Sequence, residues 1–423
     1  MKVLNRRRLG KYGKFSLALA TVVLLFSSVA VGQTTYTVTD LGTLGGTFGC
    51  AMGINNKHWV EFMDTLSEEQ LHAGLWIDGL NIDFGTFGAP NLNSSTWYGG
   101  VNDRGQAVGY AETSELAADN FCGFGTGHQC LPFLWQNGVM AALPTLGGTN
   151  GVAAVINNRG QVVGAAQSTT SDSVCSSFQS VRPVIWEKGK IQELSTYPGD
   201  EDGIALSIND HGQAVGNSGC WNPGIGSAPN HALLWDNGTV IYLPSLGGDL
   251  YNVPFAINNQ GQAVGASDLA GDTTSHAVLW QGGIASDLGT LPGDSGSEAD
   301  GINDRGQVVG ASCGDAGCSA VLWVDGKVTD LNSLIPADSP LFLFFAHAIN
   351  SRGEIVGMAL WNGTSDFHAF LATPTNPDTG NGNATLTPGA TRQRPRVTLP
   401  ENVRKVLQKR LGFGRFGWPA RPQ

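Results

Sequence analysis

The sequence predicts an all-β protein: a seven-bladed β-propeller of four-stranded antiparallel blades, closed by an N-terminal strand that completes the last blade. Three observations carry this. The phrase INDRGQVVG at 302–310 recurs with few changes at 101–109, 156–164, 208–216, 257–265 and 349–357, and in degenerate form at 54–62. Successive phrases stand 45 to 55 residues apart, the period of a four-stranded repeat unit. Glycine is abundant, 59 of 423 residues, and only 14% of residues are charged, which suits short strands joined by tight turns.

Each unit contains four apolar runs. The first ends in Ile-Asn, as at Ile302-Asn303, and the second is the Gly-Gln-Val-Val-Gly half of the phrase. The third reads HALLW (231–235), HAVLW (276–280) or AVLW (320–323). The fourth reads DLGTLGG (40–46), LPSLGGD (243–249) or DLGTLPGD (287–294). Asn and Asp start turns by bonding their own backbone, and Gly takes positive φ, so Asn-Asp-x-Gly joins the first two runs as a turn. WDNG, WQNG, WEKG and WVDG join the last two as short hairpins. No helical periodicity of any length precedes residue 399.

Six of the third strands end in tryptophan: Trp76, Trp135, Trp186, Trp235, Trp280 and Trp323, with Ala372 in the seventh. One Trp per unit at a fixed place reads as packing between neighbouring blades, each burying about 150–250 Å². His72, His231, His276 and His368 recur just before them and read as blade bonds rather than general bases.

The chain opens with a fourth-type strand (36–44) and closes with a third-type strand (368–375) that no fourth strand follows. The count balances if the first strand completes the last blade, which also removes two exposed edges. The alternative is a β-solenoid, which has no need of that exchange.

On DLGTLGG, INDRGQVVG, the HA-x-LW runs and the triplet His368-Ala369-Phe370, residues 36–374 resemble the HAF-repeat family of predicted extracellular bacterial proteins. The resemblance implies secretion and a repeat fold, with no established activity, substrate or catalytic residues. Blade one departs from the pattern at His58 to Phe62, which puts its second strand in question.

Residues 1–32 read as a signal peptide: basic residues through Lys14, an apolar run over 15–31, and small Ala30 and Gly32 before Gln33. A retained anchor helix is the competing reading. Cleavage would leave no transmembrane span and place the protein outside a bacterial cytoplasm, extracellular or periplasmic. Residues 33–374 form the propeller and hold nine Lys and Arg against 33 Asp and Glu. Such a body repels phosphate backbones, which excludes nucleic acid as its partner. Residues 375–398 form a flexible Pro/Gly/Asn-rich linker. Residues 399–423 form a basic amphipathic tail, with Val403, Val406, Leu407 and Leu411 on one helical stripe and Arg404, Lys405, Lys409 and Arg410 largely off it. A tail of this kind suits an anionic envelope surface.

Short turns share one face of such a propeller; the longer, variable loops share the other, where function concentrates. Trp97, Tyr98, Trp221, Tyr251 and Trp361 are the candidate ligand contacts there, suited to a glycan or a surface protein. Cys122, Cys130, Cys175, Cys220, Cys313 and Cys318 are disulfide candidates, paired in that order, and Cys50 is left over. No cofactor and no metal site is assigned. Calcium is the ion that acidic clusters would attract, through Asp200, Asp202, Asp294, Glu298 and Asp300, yet no EF-hand or RTX loop is present. The chain has no catalytic or nucleotide-binding motif, which leans against an enzyme. The expected function is a secreted binding module. The alternatives are a carbohydrate-active hydrolase or lyase, with carboxylates such as Asp200 and Glu298 meeting across the channel, and a structural envelope protein tethered by its tail.

Overall fold

The computed structural model describes residues 34–66, 70–88, 92–117, 119, 121–171, 179–219, 231–315, 317–364 and 366–375. Among them, 28 strands form seven four-stranded antiparallel sheets, a seven-bladed β-propeller rather than a solenoid. Blades one to six span 49–83, 94–142, 147–193, 202–242, 247–287 and 296–330, each with its strands in chain order from the axis outward. Blade seven takes Leu341–Ile349, Ile355–Trp361 and Phe367–Thr375, and its outermost strand is Thr35–Gly42. The pairing runs from Thr35 opposite Thr375 to Gly42 opposite Ala369. Tyr36 anchors this strand: its amide donates to the Leu334 carbonyl at 2.8 Å, and burial pushes its phenol up to about 12.

The hairpins follow from their residues. Asp78-Gly79, Asn137-Gly138, Lys188-Gly189, Asn237-Gly238, Gly282-Gly283 and Asp325-Gly326 all have positive φ at both positions, the type I′ geometry that matches strand twist.

The phrase builds a lattice around the axis. In blade six, Asn303 Oδ1 accepts from the amides of Arg305 (3.0 Å) and Gln307 (3.1 Å), bracing the turn. Its Nδ2 donates to Gln307 Oε1 (2.9 Å) and to the Asn350 carbonyl of the next blade (3.0 Å). A primary amide supplies both the acceptor and the two donors; a carboxylate would lose the donors. The same inter-blade bond runs from Asn55 to Asn102, Asn157, Asn209, Asn258, Asn303, Asn350 and back to Asn55, each at 2.9–3.1 Å. One residue further on, Asn alternates with Asp. The amides of Asn56, Asp103, Asn158, Asp210 and Asn259 each bond the side chain of the next blade's residue at 2.7–2.8 Å.

Each innermost strand also carries a bulge just before its Ile or Val. Ladder register skips Met52, Ala154, Leu206, Phe255, Asp300 and His347, and in blade two it skips from Ser95 to Gly100. A bulge re-aims one side chain and folds its strand against the partner. The second glycine of the phrase answers that approach: a Cβ at Gly310 would stand 2.0 Å from the Glu298 carbonyl oxygen.

Packing between blades forms the core. All six tryptophans are buried. Nε1 of Trp186, Trp235 and Trp280 donates to the carbonyls of Pro144, Ser195 and Pro244, each two residues past the outermost strand of the preceding blade, at 2.7–2.8 Å. Trp135 stacks on Phe84 of blade one at 4.7 Å. His72, His276 and His368 each bond an aspartate on the adjacent outermost strand: Asp83, Asp287 and Asp40.

Two features differ from the sequence reading. The loops after the second strands, expected from Tyr110 in blade two and Ala165 in blade three and expected to hold Cys130, Cys313 and Cys318, are shorter: those strands run on to Leu116 and Ser171, and the three cysteines lie on strands. Thr and Ser at the strand ends continue the ladder, so less chain is left as loop. Blade one's departure does not break its second strand, Val60–Thr65. His58, standing where other blades have Gly, reaches across the seam to Glu354 of blade seven at 2.8 Å.

Candidate functional site

The sequence-predicted residues fall in several places. Trp97 and Tyr98 lie on the innermost strand of blade two, between the paired residues Ser95 and Gly100. Tyr251 and Trp361 are half-buried against core clusters, and Trp361 packs on His368 at 5.0 Å. Trp221, Cys175, Cys220, residues 1–32 and the tail lie outside the described residues. Cys122 is disulfide-bonded to Cys130, and Cys313 to its cross-strand neighbour Cys318.

The acidic candidates are tied into the fold separately. Asp200 accepts from Ser218 Oγ (2.5 Å) and meets His231 Nδ1 (2.8 Å) in blade four. Asp202 accepts from the Val181 amide, and Asp294 from Ser312 Oγ. Glu298 and Asp300 sit on the innermost strand of blade six, two blades from Asp200, so Asp200 and Glu298 do not form a pair. Among the described residues, no three His, Cys, Asp or Glu side chains converge as a metal would need.

The two ends of the axis differ in kind. On the short-turn face the Ile-Asn-Asn/Asp turns enclose a cavity of about 220 Å³. The side-chain amides around it are bonded to neighbouring blades, as described above, so its wall is a structural lattice. Toward the long-loop face the axis is filled by apolar side chains. Leu206, Val253 and Phe255 form one cluster, Met52, Phe342 and Phe344 another, and Phe124 of blade two packs on both.

Blades six and seven break this apolar filling. At the bulge position blade six has Asp300 and blade seven His347, where blades three to five have Ala154, Leu206 and Phe255. His347 Nδ1 meets Asp300 Oδ2 at 3.1 Å. Burial alone would lower the His347 imidazole; the Cys50 sulfur beside it and the Asp300 carboxylate outweigh that and raise it well above its usual value. His347 Nε2 is buried without a well-aligned partner among the described residues. Burial, then repulsion from Asp300, pushes Glu298 well above the usual carboxylate range. The leftover Cys50 is thus an axial residue, on the innermost strand of blade one, fully buried with its sulfur 3.5 Å from Met52 Sδ. Aligning the seven units on the Ile or Val of the phrase and reading two residues back would have flagged Asp300 and His347 as the polar exceptions.

Glu61 is a second exception. It stands where the other blades have Val108, Val163, Val215, Val264, Val309 and Val356, and it is fully buried. Neither carboxyl oxygen has a well-aligned partner among the described residues. Burial pushes its carboxyl up to about 8, with the Thr96 hydroxyl and the amides of Gly100 and Val108 pulling weakly the other way.

Among the described residues no helix is long and apolar enough to cross a membrane. No protein-family model and no curated protein matches the chain. Solved structures do. The chain is similar to the β-propeller domain of the Trilobed protease from Pyrococcus furiosus, at 14% identity over 66% of this chain and 81% of that one, with a TM-score of 0.45. It is similar to the polysaccharide lyase Uly1 at 8% identity, over 77% and 90% of the two chains, with a TM-score of 0.43. It is also similar to the Aleuria aurantia lectin AAL, whose structure holds Fucalpha1-6GlcNAc, at 10% identity over 72% and 97%, with a TM-score of 0.35.

Proposed function

We propose that this protein is an exported propeller of the HAF-repeat kind that works as a binding module, holding a glycan or a protein at the cell surface with its long-loop face. One observation carries the reading. The repeated polar groups of the short-turn face are bonded blade to blade around the ring. Several side chains that break the repeat, among them Asp300, His347 and Phe124, stand at the bulge level of the axis or on the opposite face. A scaffold with one self-satisfied face and one varied face presents the varied face. Two disulfides at that face, Cys122–Cys130 and the cross-strand Cys313–Cys318, suit an oxidising compartment. The test is a glycan array and a surface-protein pull-down with residues 33–375. Binding lost on substituting long-loop residues supports the reading; a body that retains nothing from either probe ends it.

A second reading, a carbohydrate-active enzyme, rests on Glu298, Asp300 and His347, two buried carboxyls held above their usual range beside an imidazole 3.1 Å from Asp300 at the axis. Turnover of a polysaccharide extract that disappears in both Glu298→Gln and His347→Gln, with fold intact, would favour it.

A further inference from the structure

The repeat is broken a second time on the rim of blade four, and here the break is exposed. Opposite the residue two places before the third-strand tryptophan position, blades one, five, six and seven carry Asp83, Asp287, Asp330 and Asp40; blade four carries Tyr242. In the loop that enters blade four, Tyr197 occupies the place of Leu44, Leu146, Leu246 and Leu291 in the other units. The two departures meet. Tyr197 lies flat on the His231 ring, centroids 3.7 Å apart and 7° from parallel, and Tyr242 stands edge-on to Tyr197 at 4.8 Å. Asp200 holds His231 by Nδ1 at 2.8 Å and is itself fixed by Ser218 Oγ, so the imidazole cannot swing away. Tyr242 remains 49% exposed. All of these residues sit at strand ends or in a loop on the long-loop face.

We propose that Tyr197, His231, Tyr242 and Asp200 form a saccharide platform that binds a neutral or amino hexopyranose, a placement that rests on the binding reading above. The chemistry fits that class. An exposed phenol ring offers a flat apolar face for the C–H face of a pyranose. Around it, His231 Nε2, Asp200 Oδ1 and the two phenol hydroxyls meet no hydrogen-bond partner among the described residues. They mix donors with acceptors, as sugar hydroxyls require. A cationic peptide would instead call for several converging carboxylates, and Asp200 is already shared between Ser218 and His231. Uronic and sulfated sugars are disfavoured by a body with 33 acidic and nine basic residues.

The test uses the full chain and three soluble probes, cellohexaose, mannohexaose and chitohexaose, followed by titration calorimetry. Tyr242→Asp restores the residue that blades one, five, six and seven carry, so it keeps the fold while removing the ring. The expected result is binding of at least one probe that becomes about tenfold weaker in Tyr242→Asp and is retained in Tyr242→Phe. Tyr197→Leu, again a return to the repeat, should weaken the same probe. Saccharide binding that Tyr242→Asp leaves unchanged overturns this platform while the binding reading stands. Binding of hexalysine, run as a fourth probe, but of no saccharide, weakened by Asp200→Asn, also overturns it, and assigns the rim to a basic peptide. Retention of no probe and of no surface protein sinks both.

Discussion

Asn350 donates its side-chain amide to the main-chain carbonyl of Asn55, 3.1 Å away and 295 residues earlier in the chain. This bond closes a circle of seven identical links, and it joins the last blade to the first without any covalent help. Closure therefore has two independent parts: the strand Thr35–Gly42 added to blade seven at the rim, and this amide ring at the axis.

Removing one link should cost more than an ordinary hydrogen bond. Asn350→Ala deletes two donors and an acceptor serving Arg352 and Glu354 amides, and leaves buried groups bare. The expected loss is about 2–4 kcal/mol in denaturant unfolding. A loss under about 0.5 kcal/mol would mean that the ring is a consequence of packing and not a cause of closure.

The inter-blade tryptophans should be among the most sensitive positions in the fold. Trp280 is buried and bonded to Pro244 of the preceding blade. Trp280→Ala should lose about 3–5 kcal/mol, with Trp280→Phe losing less because most of the ring volume stays. Equal losses would show that the indole N–H, and not its volume, carries the contact.

Glu61 should make the protein less stable as pH rises. Its folded pKa, about 8, lies above the ordinary carboxyl value, so the folded state holds a proton that the unfolded chain releases. Stability from this group is complete below the unfolded value and falls by about 1.4 kcal/mol per pH unit from roughly pH 4.5 to roughly pH 8. Glu61→Val, which restores the residue of the other blades, should raise Tm at pH 8 and flatten that slope. A variant that melts lower than the parent at pH 8 would indicate a partner for Glu61 within the blade seam.

The seam between blades seven and one should weaken in acid. Burial would raise the Glu354 carboxyl, but hydrogen bonds from Asn350, Arg352 and His58 outweigh it and hold it below its usual value. Its contribution is thus present above the ordinary carboxyl range and lost as pH falls through the lowered one. Glu354→Gln, the residue other blades use, should keep the Asn350 contact and remove the acid dependence. Hydrogen exchange at Thr35–Gly42 and Gly49–Ile54, measured at pH 6 and pH 3.5, reads this out. Equal protection at the two pH values would assign closure to the strand alone.

The architecture was legible in the residues because it is written repeatedly. Seven phrases at one period, glycine where turns need positive φ, a tryptophan in six of the seven units and a missing last strand each follow from local chemistry that needs no tertiary information. The tertiary structure decided where exceptions to the repeat meet. His58 looked like decay of the phrase, yet it faces Glu354 from the far end of the chain. Cys50 had no partner in the sequence, yet it lies beside His347, nearly 300 residues on. Tyr197 and Tyr242 belong to different units and converge on one histidine. A repeat unit fixes its own backbone through short-range hydrogen bonds and packing. Which side chains become neighbours across the ring depends on bulge direction and closure, and both are set only when all seven blades are in place.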